Sequence, residues 1–291
     1  MRRRNRVSGR FKGGFRSGRT RWAWGAAGAA LGVAVTGLVL ALVSGGDGAP
    51  EPRAVSADEA RRMALARFRT YEASPSEVVV RLPSGDGEGG TVAVRAVVDH
   101  RTHRAVGAYE VAEGGRTMRG LLAWDMAGMA VARPPRASTA VAPAAPARTA
   151  AQAVSRAAGL DAGQWARRGY RTAAPLDRSL RLVLAVAADR PDNARLLARS
   201  GPLWLRDERL DGHGYGVFAG PRPHPRSGGN AGPERPASDA SGRSPLTYWI
   251  DADGNLRRIR ARLAPGRETT VDFVAGRVKY GVPAAPWREA G

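Results

Sequence analysis

An uncharged run of 22 residues near the N-terminus, residues 22–43, constrains this chain more than any other feature. As a helix it would be about 33 Å long, which matches a bilayer hydrocarbon core of ~30 Å. Residues 1–21 contain nine basic residues and no acidic one, and cations cross a membrane reluctantly. The sequence therefore predicts a single-pass protein of the cell membrane, with a basic cytoplasmic tail, a transmembrane helix and an extracytoplasmic remainder.

A cleaved signal peptide is the alternative interpretation of the same run. The apolar region of a signal peptide normally has about 7–15 residues, which is shorter than this run. The nearest small-x-small cleavage site, Val43-Ser44-Gly45, is a poor one. The sequence favours an uncleaved anchor but leaves cleavage open.

The formal net charge of +20 invites an interpretation as a nucleic-acid-binding protein. The tail alone supplies +9 of that charge, and all basic residues except Lys12 and Lys279 are arginine. An arginine-rich composition of this kind is typical of a GC-rich genome, so nucleic acid is not an expected partner. The chain has no cysteine, which excludes disulfides, thiolate metal sites and a cysteine nucleophile.

The residues after the run are predicted to form a linker, residues 44–55, and then a folded domain, residues 56–282. Ser56 and Glu59 match a capping box at the start of an amphipathic helix. Several segments rich in β-branched residues come next, and residues 246–263 form the clearest hairpin. A strand meander after a helix predicts an α+β fold.

Composition divides this domain further. A Pro- and Ala-rich connector, residues 133–148, separates the halves 56–132 and 149–282. Residues 220–245 contain no large apolar side chain, so they are predicted to be a disordered loop. In the second half, residues 180–187 are apolar and predicted as a strand.

Two histidines could be metal ligands. His100 and His103 lie in a predicted turn among arginines and a threonine, and no third histidine completes a site. We therefore predict a solvated turn and no metal. His213 and His224 have no partner evident in the sequence.

Two further patterns resemble known motifs without completing them. Gly85, Gly87 and Gly90 match G-x-G-x-x-G, but a strand comes after them, whereas a dinucleotide site needs a helix. Residues 251–255 resemble the start of a calcium loop, but Leu256 and Arg262 occupy the positions that need Gly and Glu. No enzymatic activity and no cofactor are therefore expected.

Alternating residues on one predicted strand suggest two surfaces. Its apolar side chains, together with two on the next strand, are predicted to line the apolar face of a ligand cavity. They are Ile259, Ala261, Leu263, Val271 and Phe273. The alternative is that they form an ordinary filled core. Its basic side chains, Arg258, Arg260 and Arg262, are predicted to contact an anionic partner such as lipid head groups or acidic wall polymer. The alternative is that they form a solvated face.

The second half resembles the lipoprotein-carrier folds of the LolA and LppX/LprG type, as they occur in single-pass actinobacterial membrane proteins. Residues 192–201, 212–218 and above all the hairpin 248–258 carry the resemblance. It covers residues 180–282, and 56–132 more loosely. It implies a half-open antiparallel barrel curved around helices, with an apolar cavity for acyl chains and no catalytic residues. The chain departs from the family by lacking the lipid-bearing cysteine.

These observations lead to two candidate functions. The first is a membrane-anchored extracytoplasmic binding protein that holds a lipid or lipidated partner in an apolar cavity. The second is a cell-envelope interaction or sensory protein with a filled core and no small-molecule ligand.

Overall fold

The computed structural model describes residues 50–84, 89–133, 147–222, 244–264 and 267–284. The predicted tail and transmembrane helix lie outside the described residues, as do most of the predicted connector and loop. No helix among the described residues is long and apolar enough to cross a membrane.

The described residues form one 12-stranded sheet and four α-helices. The strands are β1 (Arg53–Ala54), β2 (Ser76–Pro83), β3 (Thr91–Asp99), β4 (Arg104–Glu113), β5 (Arg116–Asp125), β6 (Gly128–Ala132), β7 (Trp165–Gly169), β8 (Leu203–Leu210), β9 (His213–Ala219), β10 (Leu246–Ile250), β11 (Leu256–Ala264) and β12 (Arg267–Arg277). The helices are α1 (Ala57–Glu72), α2 (Ala150–Ala158), α3 (Pro175–Ala185) and α4 (Ala194–Arg199), and a 3-10 turn covers Ala162–Gln164.

Every pair of neighbouring strands is antiparallel, in the order β1-β8-β9-β10-β11-β12-β2-β3-β4-β5-β6-β7. Two meanders, β2–β6 and β8–β12, thus lie side by side. The pairing of β12 with β2 joins them, with Val271 opposite Val80 and Phe273 opposite Val78. The short strands β1 and β7 cover the two outer edges.

The fold class predicted from the sequence is wrong. We expected an α+β domain with a half-open barrel packed with helices, and the structure is mainly one large antiparallel sheet with few helices. Alternating hydrophobicity identifies strands, but it does not state which strand pairs with which. The β12–β2 pair links opposite ends of the domain, and nothing local in the sequence encodes it.

The predicted strand over residues 180–187 is also wrong, because residues 180–185 belong to α3 and the helix ends there. Pro175 opens the helix at its first turn, where its missing N–H costs nothing. Leu180, Val183 and Leu184 are each at most 1% exposed, and their spacing of three and four residues places them on one helix face. A short apolar run of this kind is compatible with a buried strand as well as with a helix. Tertiary packing decides in favour of the helix.

The predicted capping box at α1 is confirmed. The Glu59 N–H donates to Ser56 Oγ at 3.2 Å, and the Ser56 N–H donates to Glu59 Oε2 at 2.7 Å. Arg53 on β1 adds two hydrogen bonds of 2.8 Å to the Glu59 carboxylate. One carboxylate therefore fixes both the start of α1 and the edge strand β1.

The helices cover both faces of the sheet. We call the face under α1 and α3 the inner face. There α3 contacts β2, β5, β11 and β12, and Trp124 on β5 donates its indole N–H to the Leu180 carbonyl at 3.2 Å. Since β5 and β11 are not neighbours, the sheet bends around α3. On the outer face α2 packs on β3 and β4 through the small, buried Ala150, Ala153 and Ala157.

A buried ion pair holds the edge strand β7 to α3. The Asp177 side chain is only 1% exposed. Its carboxylate accepts hydrogen bonds from Arg168 at 2.5 and 2.7 Å and from the Arg171 N–H at 2.7 Å. Burial alone would raise the pKa of Asp177, but these donors outweigh it and the pKa is lowered. The carboxylate is therefore charged in the folded protein.

Asp177→Asn keeps the side-chain size but removes the charge that Arg168 needs. We expect a loss of about 3 kcal/mol, the low end for breaking a buried pair, because Arg168 is partly solvated. Urea unfolding of the purified chain, followed by tryptophan fluorescence, measures it. The exposed pair Asp58–Arg61 supplies the control, Asp58→Asn, which should cost below ~0.5 kcal/mol. Equal, small losses for both variants would contradict the role given to Asp177.

Candidate functional site

The apolar residues predicted to line a cavity lie mainly in the packed core. Ile259, Ala261 and Val271 are at most 1% exposed, and Ile259 stands opposite Val271 across β11 and β12. Leu263 is half-buried. Phe273 is buried and forms part of the wall of a small mixed cavity of about 330 Å³. Their contact with a ligand stays a prediction, and a more apolar cavity of about 550 Å³ lies elsewhere in the domain.

The three arginines predicted to contact an anion lie on the outer face. Arg258 Nε is 2.6 Å from Asp272, and Arg260 Nε is 3.5 Å from Glu268. Both guanidinium groups also lie over the ring of the buried Trp249, at 5.9 and 5.3 Å from its centroid. Arg262 is half-buried. Arg258 and Arg260 thus already have acidic partners, and contact with a further anionic partner stays a prediction.

A cavity of about 550 Å³ lies between α1, the end of α3, α4 and β10. This volume falls within the range of small-molecule sites, roughly 300–1,000 Å³. Apolar side chains from these four elements and from the start of β11 form most of its wall: Met63, Ala66, Leu182, Leu196, Leu197, Leu246 and Leu256. Such a surface favours an apolar occupant over water.

The wall formed by α4 is the least firmly packed. This helix has six residues, none of them buried, and Asn193 caps it by accepting from the N–H groups of Arg195 and Leu196 at 3.0 and 3.1 Å. Leu196 lines the cavity yet is 62% exposed. A helix this short gains its stability from packing, so α4 is the wall that most easily yields to a ligand.

The polar residues of the cavity wall are Arg67, Asp192, Asn193 and Tyr248. Asn193 caps α4, and the other three lie close enough to interact. Arg67 lies 3.4 Å from Asp192. Burial raises the pKa of the Tyr248 phenol to about 12; the charge of Arg67 lowers it and that of Asp192 raises it. The phenol is therefore neutral at pH 7 and can donate a hydrogen bond.

The sequence alone did not identify these three residues. Arg67 lies on a helix with several other arginines, and nothing local marks it as the one that faces a cavity. The usable signal was in α4, where two leucines sit between Arg195 and Arg199. A single exposed leucine is common on protein surfaces, so this pattern identifies a cavity wall only together with the structure.

His100 differs from its prediction as a solvated residue. It is fully buried, and within the described residues neither ring nitrogen has a hydrogen bond of good geometry. The backbone N–H of His100 donates to Ser74 Oγ at 2.8 Å. This bond holds the turn against the segment that follows α1. Among the described residues no group of three potential ligands could hold a metal ion.

No protein-family model matches this chain, and the comparison with curated proteins finds no significant match. The resemblance to the lipoprotein carriers therefore stays a prediction. Inference about the function rests on the geometry of the chain itself.

Titration of His100 should make the fold sensitive to mild acid. Burial lowers the pKa of His100 from 6.5 to about 4, and His103 adds to this, while Asp99 and the Leu184 backbone oppose it. As the pH falls, His100 becomes protonated at a higher pH in the unfolded chain than in the folded protein. The stabilisation is therefore complete above pH 6.5 and is lost as the pH falls toward 4, by up to about 3 kcal/mol.

His100→Leu removes the titrating group but keeps an apolar side chain. Urea unfolding at pH 7, 5.5 and 4.5 should show a weaker loss of stability with acid in this variant than in the wild type. His213 is exposed, so His213→Leu should behave as the wild type. The same pH dependence in all three proteins would contradict the burial of a neutral His100.

Proposed function

We propose that this protein is a membrane-anchored binding protein that holds an apolar ligand outside the cytoplasm. The observation that carries the proposal is the cavity between α1, α3, α4 and β10, with its mostly apolar wall. Sites for small molecules are commonly concave, with a mostly apolar wall and a few polar groups. A cleft of about 550 Å³ that is partly open to solvent and has the packed core as its floor fits this description.

The surrounding elements support this proposal because they are unequal in rigidity. The inner-face core beside the cavity includes Leu180, Leu184 and Ile250, each at most 1% exposed. This core gives the cavity a fixed floor. The opposite wall, α4, is short and exposes Leu196. A fixed floor and a yielding wall allow an apolar molecule to enter without unfolding the sheet.

Photolabelling tests the cavity directly. A fatty acid carrying a mid-chain diazirine is added to membranes that contain the full chain, and the labelled peptides are mapped by mass spectrometry. We expect labels on the cavity stretches of α1, α4 and β10. Ala66→Phe places a ring inside the cavity, because Ala66 is buried in its wall, and should lower labelling at least about tenfold (~1.4 kcal/mol).

Ala57→Phe is the matched control for this substitution, because Ala57 is exposed at the start of the same helix. It should leave labelling unchanged. Thermal melting of both variants checks that they fold. Labels scattered over the domain, or equal labelling of the two variants, would instead favour an envelope interaction protein without a small-molecule ligand.

The anchor has a separate test. The basic tail motivates a topology with the N-terminus inside and the domain outside. A reporter that is active only outside the cytoplasm, fused after Gly291, should be active. Activity of a cytoplasm-dependent reporter at the same position would contradict the proposed topology. That result would not test whether the cavity binds a ligand.

A further inference from the structure

The polar end of the cavity, formed by Arg67, Asp192 and Tyr248, indicates which kind of apolar molecule fits. These three residues come from α1, from the segment between α3 and α4, and from β10. Backbone hydrogen bonds hold the first two segments together. The Asp192 N–H donates to the Ala64 carbonyl at 3.0 Å, and the Ala188 N–H donates to the Arg67 carbonyl at 3.2 Å. The polar end is therefore fixed in position before a ligand arrives.

The guanidinium of Arg67 is positioned but not saturated. Its Nε–H donates to the Val186 carbonyl at 3.1 Å, which is an ordinary hydrogen bond. Its two other contacts within the described residues, to Asp192 at 3.4 Å and to Ala185 at 3.5 Å, are long. A guanidinium has five N–H donors, and the Arg67 side chain is 44% exposed. Water therefore solvates the remaining donors, and an anionic partner can replace that water. The tight contacts between Arg168 and Asp177 show what a saturated pair in this fold looks like.

Tyr248 supplies a second donor. Among the described residues its hydroxyl makes no hydrogen bond, and its ring lies in the wall of the cavity. Asp192 supplies the acceptors at this end, and its contact with Arg67 is the same long one of 3.4 Å. Arg67 and Tyr248 are two donor groups beside this one carboxylate, which favours a head group that accepts hydrogen bonds.

We infer that the cavity binds a single-chain carboxylate, with its acyl chain along the apolar wall and its head group at Arg67 and Tyr248. A carboxylate presents two acceptor oxygens that match the fork of an arginine. An alcohol of the same length offers one weaker acceptor. A phosphate dianion needs more positive charge than one arginine shared with Asp192 provides. This inference rests on the proposed function, since it assumes that the cavity is occupied.

Competition against a neutral probe tests the head-group preference. The full chain in membranes is labelled with a long-chain diazirine alcohol at pH 8, and hexadecanoic acid, hexadecanol or hexadecyl phosphate competes. Each competitor partitions equally into the lipid around wild type and variants, so comparison of the proteins cancels partitioning. We expect the acid-to-alcohol competition ratio to be about tenfold higher for the wild type than for Arg67→Met, and the phosphate-to-alcohol ratio to differ less between these two proteins.

Variants of the polar end should change this acid-to-alcohol ratio in opposite directions. Relative to the wild type, Arg67→Met should lower it about tenfold, and Asp192→Asn should raise it, because the like charge is removed and the guanidinium is released. Arg61→Met is the matched control, an arginine of the same helix that pairs with Asp58 at the surface, and should keep the wild-type ratio. If Arg67→Met does not fold, the rise in Asp192→Asn still decides the matter.

The outcomes separate this inference from the proposal beneath it. If the acid-to-alcohol ratio is the same in the wild type, Arg67→Met and Asp192→Asn, the carboxylate inference is overturned while the apolar cavity stands. If Arg67→Met lowers the phosphate-to-alcohol ratio more than the acid-to-alcohol ratio, the head group is another anion and the inference is likewise overturned. If no competitor lowers labelling, the apolar-ligand function itself fails.

Discussion

The pairing of β12 with β2 is the interaction on which the rest of this structure depends. It joins two meanders into one antiparallel sheet. Without it each meander would expose an edge, and the inner face would be too narrow to hold α3 against both β5 and β11. The continuous floor beneath α1 and α3 results from this pairing, as does the position of the cavity beside them.

The two helices between β7 and β8 have opposite roles. In α3 the buried Asp177 and Leu180 bind it to β7 and β5, and the apolar residues of its inner side are fully buried. In α4 no residue is buried, and the helix rests on α1 across the cavity. Because α3 is firmly packed and α4 is not, the cavity can open at α4. This contrast, together with the apolar wall, underlies the proposed binding function.

Local chemistry was readable from the sequence, and distant pairing was not. The capping box of Ser56 and Glu59 and the hairpin of β10 and β11 were both predicted, because each depends on residues a few positions apart. The identity of the strand beside β2 depends on packing over the whole domain, so the fold class was predicted wrongly. His100 was predicted in solvent because its polar neighbours dominate the local pattern, whereas Ser74 and α3 bury it from elsewhere in the chain. Arg67 was missed for the same reason, since its role depends on Asp192 and Tyr248.

The claim that α4 closes an apolar site has a direct measurement. Amide hydrogen exchange of the full chain in lipid nanodiscs is followed with and without hexadecanoic acid. The account predicts that the amides of Ala194–Arg199, which belong to the least buried helix, exchange more slowly when the acid is present, while those of α2 on the outer face do not change. Equal exchange in α4 with and without the acid, or equal slowing of α2 and α4, would contradict it.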